Sequence, residues 1–111
     1  ELRVGYVPDE EIGPILAEHH LVVAPYRSAT VSGIAPLAFA TGRPMVVTPV
    51  GGLPEAVEHG VNSVVADAVD AVSVADAVLA AADQLDELAA GAAASSSRWE
   101  DVASALLAVR A

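Results

Sequence analysis

Four short apolar runs, Arg3 to Tyr6, Leu21 to Ala24, Met45 to Thr48 and Ser63 to Ala66, are rich in valine and separated by stretches long enough for a helix. That spacing predicts βα units in a parallel sheet flanked by helices. "LVVAP" and "MVVTP" show no polar alternation, the pattern of strands covered on both faces, so these two are predicted to be central.

Between the strands, "VPDEEIGPILAEHH" predicts a helix capped by Asp9, with Glu10 and Glu11 at its positive start and His19 and His20 at its negative end. Gly13 and Pro14 are expected to weaken or shorten its first turn. A second helix is predicted over Pro36 to Thr41, closed by Gly42 as the C′ residue, with the cap at Gly33 or slightly later because proline belongs in a first turn. "GGLPEAVEHG" reads as a glycine turn and a helix of one to two turns closed by Gly60. In "SVADAVLAAADQLDELAAG" the positions Val74, Val78, Leu79, Ala82, Leu85 and Leu88 share one face, predicting an amphipathic helix stopped at Gly91. Small residues from Ala92 to Ser96 form a connector. Ser97 and Glu100 then make a capping box for a last helix with Trp99, Val102, Ala103 and Leu106 on its apolar side. No internal repeat is evident at any solenoid period.

The 111 residues correspond to one domain or a piece of one. With 54% hydrophobic residues and a mean hydropathy of +0.51, disorder throughout is excluded. No apolar run reaches the roughly 18 residues that a membrane span requires, and no export signal is present in the sequence as given. The chain has no cysteine, which removes disulfides and thiolate metal sites and agrees with a cytoplasmic location. Its basic residues are all arginine, and alanine and valine dominate, as expected of a GC-rich bacterial coding sequence.

Fifteen acidic residues against five basic ones give a formal charge of −10, which repels nucleic acid and anionic membranes. The distribution is more informative than the sum. Between Glu18 and Glu55 there is no carboxylate, and Arg27 and Arg43 lie inside that gap. An anion is expected to bind here if anywhere, although buried central strands also carry few charges.

The order of elements in "GYVPDEEIGPILAEHHLVVAPYRSATVSGIAPLAFATGRPMVVTPVGGLPEAVEHGVNSVVAD" resembles the donor-binding domain of retaining GT-B glycosyltransferases of family 4, the group 1 type. The resemblance rests on "PDEE", a proline ending the next strand, "ATGRPMVVT", the "GGLPE" loop and a G-x-N turn, and it covers nearly the whole chain. "SSRWEDVASALL" is similar to the family's last helix. The resemblance implies a partial Rossmann-like GT-B C-terminal domain of about four strands over residues 1–111. It further implies two preceding βα units and an acceptor domain outside this sequence, a nucleoside-diphosphate sugar as ligand, and no sugar transfer by the isolated chain. The family usually places two glutamates eight residues apart on the loop and helix that follow this strand-ending proline. Those positions fall on Ala29 and Leu37, neither of which accepts a hydrogen bond through its side chain.

In their place stands "SATVSG". Ser28, Thr30, Ser32 and Gly33 are the first candidates for diphosphate contacts, because short donors at a helix entrance approach phosphate oxygens without clash. Ordinary N-capping serves the same residues equally well. Arg27 is the better of the two arginines for a bidentate phosphate contact, since Arg43 follows a helix stop where a cation is welcome anyway. Gly51 and Gly52 follow a predicted central strand at its carboxyl end, where open α/β sheets bind ligands, but they also suit a plain turn. Glu55 is read as a helix-start residue.

His19, His20 and His59 lack metal-ligand spacing, so no metal and no cofactor are expected. Nothing resembles a Ser-His-Asp or paired-carboxylate arrangement, and no residue is assigned as catalytic. The reading is the donor-binding portion of a glycosyltransferase. Two alternatives stay open: a non-catalytic α/β module that dimerises through a strand edge or the Trp99 helix, and part of a nucleotide-sugar epimerase. An apolar stripe on the Trp99 helix predicts self-association in the absence of the acceptor domain.

Overall fold

The computed structural model describes residue 5, residues 8–28 and residues 34–95. Within them the elements run α1 (Asp9–Ala17), β1 (Val22–Ala24), α2 (Ile34–Ala40), β2 (Met45–Val47), α3 (Leu53–Ala56), β3 (Ser63–Val65) and α4 (Ala71–Asp83). A further helical segment, α5, covers residues 85–95. The three strands form one parallel sheet in the order β1-β2-β3, in register Val22 with Met45 and Met45 with Ser63. This is the parallel α/β arrangement expected from the valine runs. The predicted strand at Arg3 to Tyr6, and its pairing with Leu21 to Ala24, lie outside the described residues, as does the Trp99 helix with its capping box.

Strand β2 is buried at all three positions, and the alternation of side chains explains why it shows no polar residue. Met45 and Val47 point into a cluster with Ala35, Ala38, Phe39 and Leu53 from α2 and α3. Val46 points the other way, into a cluster with Ala77 and Ala81 of α4 and Leu88 of α5. Strand β1 differs from expectation: Val23 is 41% exposed and Val22 only partly buried, and among the described strands β1 lies at one end of the sheet, with β2 alone central.

Helix α1 begins one residue earlier than expected, with Pro8 at the N-cap and no side-chain cap, so Asp9 is helical and does not cap. At its other end the His19 ring Nδ1 donates to the Ile15 carbonyl at 2.6 Å, in keeping with a histidine at the negative end. Helix α2 ends in a Schellman motif, the Gly42 N–H bonding Phe39 O and the Arg43 N–H bonding Ala38 O, both at 2.9 Å. Gly42 adopts φ 69°, the left-handed conformation that glycine takes without steric cost.

Three expectations need correction. Helix α3 is a single turn that ends at Ala56, with Val57 extended, so Gly60 closes a later turn and not a helix. The amphipathic helix is not continuous to Gly91. Gln84, at φ −121°, ends α4 by bonding Ala81 O, and its own carbonyl accepts from the Leu88 N–H to open α5. The buried face of α4 is also narrower than expected and shifted: Ala77 and Ala81 are buried with Val74 and Val78 packed beside them, while Leu79 is 66% exposed and Ala82 is exposed. Gly91 lies inside α5, and residues 92–95 continue that helix where a connector was expected. A Cβ at Gly91 would sit 1.9 Å from the Val61 carbonyl oxygen, so the glycine permits close helix-to-loop approach. Among the described residues, no helix is long and apolar enough to cross a membrane.

Candidate functional site

The carboxyl ends of β1 and β2 lead into neighbouring loops, Pro25 to Ser28 and Thr48 to Gly52. The ladder's last rung pairs Ala24 with Val47. Beyond it the buried Thr48 donates its hydroxyl to the Tyr26 carbonyl at 2.5 Å, tying one loop to the other. The Val50 N–H bonds Thr48 O at 2.9 Å, and the Leu53 N–H bonds Val50 O at 3.1 Å across a turn whose corner is Gly51 at φ 51°. Gly52 is the N-cap of α3. The turning role of Gly51 is therefore visible in the backbone, since a positive φ suits glycine far better than other residues.

A cleft of about 390 Å³ opens at this edge, lined by Pro25, Arg27 and Thr48 from the strand ends and by Val69, Asp70, Ala71, Val74 and Ala75 at the entrance to α4. Arg27 supplies its positive charge. Asp70 caps α4, its Oδ1 accepting the Ser73 N–H at 2.7 Å. That backbone bond, helped by the Ser73 hydroxyl, holds the Asp70 carboxyl below its usual range. Among the described residues, Arg27 and Asp70 are the charged groups that border this largely apolar cleft.

Of the residues expected to meet a diphosphate, Arg27 lines the cleft, and Ser28 follows it on the exposed loop. Gly51 and Gly52 belong to the adjacent loop and do not line the cleft. Thr30, Ser32 and Gly33 lie outside the described residues. Of the two positions where the family carries glutamate, Ala29 is also outside, and Leu37 is 45% exposed on α2.

Arg43 is engaged structurally, though not at the helix it follows. Its Nε donates to Leu16 O at 3.0 Å and its Nη2 to Ala17 O at 2.8 Å, so the guanidinium caps the negative end of α1. Glu55 stands exposed in the first turn of α3, as read from the sequence. His59 Nδ1 accepts the Val65 N–H at 2.9 Å, along the edge of β3. Among the described residues no group of three or more His, Cys, Asp or Glu is placed to hold a metal. Sequence reasoning overlooked Thr48 and Asp70. Asp70 sits before a helical run, a detectable cap signal, and Thr48 lies between a buried strand and a proline, where a hydroxyl needs a partner.

A parallel α/β sheet with its cleft at the carboxyl edge places the chain among the open-sheet α/β domains, which bind ligands at that edge. The chain belongs to the group 1 glycosyl transferases, whose family profile matches residues 2–84. No curated protein sequence matches it. Among solved structures it is similar to sucrose-phosphate synthase from Thermosynechococcus elongatus, with a TM-score of 0.81 and 20% identity over 96% of this chain and 28% of that one. It is also similar to the Anabaena protein HepE in complex with UDP, with a TM-score of 0.68 and 22% identity over 85% of this chain and 29% of that one. Both likenesses establish the GT-B type of fold. The chain spans less than a third of the length of either structure.

Proposed function

We propose that this chain is the C-terminal, donor-binding part of a cytoplasmic bacterial glycosyltransferase that moves a sugar from a nucleoside-diphosphate sugar to an acceptor with retention of configuration. The observation that carries the reading is the position of Arg27, on the cleft at the carboxyl edge of the parallel sheet in a group 1 glycosyl transferase chain. Arg27 and the hydroxyl and N–H donors of Ser28, Thr30, Ser32 and Gly33 hold the diphosphate. As the sugar departs, negative charge grows on the nucleotide, and donors already aimed at it stabilise the transition state. No residue of the chain acts as a general base, and the second wall of the pocket comes from the acceptor domain. The chain alone transfers no sugar.

HepE holds UDP, which makes UDP the first nucleotide to try. Backbone amide NMR titration with UDP, GDP and ADP tests the reading. Saturable shifts at Arg27, Ser28, Ser32, Gly33, Gly51 and Gly52 with one of the three are expected. Unchanged spectra at millimolar nucleotide would remove the donor site from this chain.

A further inference from the structure

Strands β1 and β2 are held by backbone rungs as far as Ala24 and Val47, and the Val22 N–H to Pro44 O bond of 3.0 Å fixes which residues face each other. A parallel ladder repeats every second residue. Continued by one step, it would place the Val50 N–H on the Tyr26 carbonyl. The chain does something else. The Val50 N–H folds back to Thr48 O at 2.9 Å, and the Thr48 hydroxyl takes over the Tyr26 carbonyl at 2.5 Å. Pro25 and Pro49 flank these residues and have no N–H, so neither offers a main-chain alternative. One buried side chain thus replaces the missing rung where the two site loops separate.

From this we infer that Thr48 is a positioning residue for the nucleotide site: its hydroxyl fixes the peptide of Tyr26 and so sets the direction in which Arg27 and Ser28 leave the sheet. The carbonyl of Tyr26 and the N–H of Arg27 belong to one rigid peptide plane, so anchoring that oxygen orients the loop from its first residue. Arg27 and Thr48 border the same cleft, and Arg27 is the residue directly after the anchored peptide. The inference rests on the nucleotide-binding reading above and adds to it a residue that acts through the Tyr26 peptide.

Thr48→Val keeps the shape and removes the donor, whereas Thr48→Ser keeps the donor. UDP affinity of the 111-residue chain is measured for both by amide NMR, at a temperature where each is folded. Thr48→Val is expected to weaken UDP binding about tenfold, the scale of one net hydrogen bond, and to shift the free-state amides of Arg27 and Ser28. Thr48→Ser is expected to stay within about twofold of the unsubstituted chain. Arg43→Ala, which loosens α1 away from the cleft, serves as the control for lost stability and is expected to bind normally. If Val at 48 prevents folding, Thr48→Ala compared with Thr48→Ser isolates the same hydroxyl. Equal UDP affinity for the Val or Ala and the unsubstituted chains overturns the positioning role while leaving the nucleotide site standing. Failure of the unsubstituted chain to bind UDP, GDP or ADP overturns both.

Discussion

Asn62 and Ser95, 33 residues apart in the chain and both buried, are joined by a 2.7 Å hydrogen bond from Asn62 Nδ2 to Ser95 Oγ. The amide oxygen of Asn62 accepts the Glu58 N–H at 2.9 Å, and the Ser95 hydroxyl donates to Gly91 O at 2.9 Å. A turn before β3 is thereby fastened to the last described turn of α5. Such a network is strong only while every member is satisfied. Asn62→Ala is expected to lower stability by about 1–3 kcal/mol. A double-mutant cycle with Ser95→Ala, read by urea unfolding, is expected to show a coupling of at least about 0.5 kcal/mol. Additive losses would mean that the two side chains act independently.

Gly91 faces the same turn. Helix propensity alone makes Gly91→Ala stabilising by up to about 1 kcal/mol. Contact reverses the sign, because the added Cβ would stand 1.9 Å from the Val61 oxygen, a backbone atom that cannot rotate aside. A net loss of about 1–3 kcal/mol is expected, with the largest amide shifts at Val61 and Asn62. A stabilised Ala variant would show that α5 can slide over the turn at little cost.

These two residues mark where the sequence stopped being legible. The valine runs identified all three described strands because β-branched apolar residues bounded by turn residues are a local signal, continuous in β2, whose every position is buried. Gly42 closed its helix as read, since the C′ signal is local. Gly91 looked like the same signal, yet its cause is a loop thirty residues earlier in the chain. Leu79 was misplaced for another reason: the buried stripe of α4 is centred on the small residues Ala77 and Ala81, and a hydrophobicity pattern gives the larger Leu79 more weight than those alanines. At the site, Arg27 was legible as a charge inside an acid-free stretch. Thr48 was not, because its partner is a backbone carbonyl on another strand.

The two arginines of that stretch are expected to separate by assay. Arg43→Ala removes two charge-assisted bonds to the end of α1 and should cost about 1–3 kcal/mol in denaturant unfolding while leaving UDP affinity unchanged. Arg27→Ala, on an exposed loop, should leave stability within about 0.5 kcal/mol and weaken UDP binding. The reverse pattern would move the anion site from the strand edge to the α1–α2 junction.

Acid should expose the cap of α4. The Asp70 carboxyl is held below its ordinary value of 3.8, first by the Ser73 N–H and next by the Ser73 hydroxyl. A carboxyl more acidic in the folded state than in the unfolded chain stabilises fully above the unfolded pKa, and that contribution fades as pH falls through the folded value. The difference in Tm between the unsubstituted chain and Asp70→Ala should therefore be constant from neutral pH down to about 5 and shrink below about 4. Asp70→Asn keeps a neutral acceptor and should show a smaller pH dependence.

Ser63 offers the opposite kind of test. Its hydroxyl is buried in β3 with no hydrogen-bond partner, beside Met45 in the register of the sheet. Burying a hydroxyl without a partner costs free energy that no contact returns. Ser63→Ala removes the hydroxyl and leaves only a small void, so the variant should be as stable as the unsubstituted chain or up to about 1 kcal/mol more stable. Ser63→Val is expected to lose stability, since one methyl takes the place of the hydroxyl and a second must enter a fully buried position in the sheet. Thermal unfolding of the pair decides between desolvation and packing: a destabilised Ala variant would mean that the hydroxyl has a partner after all.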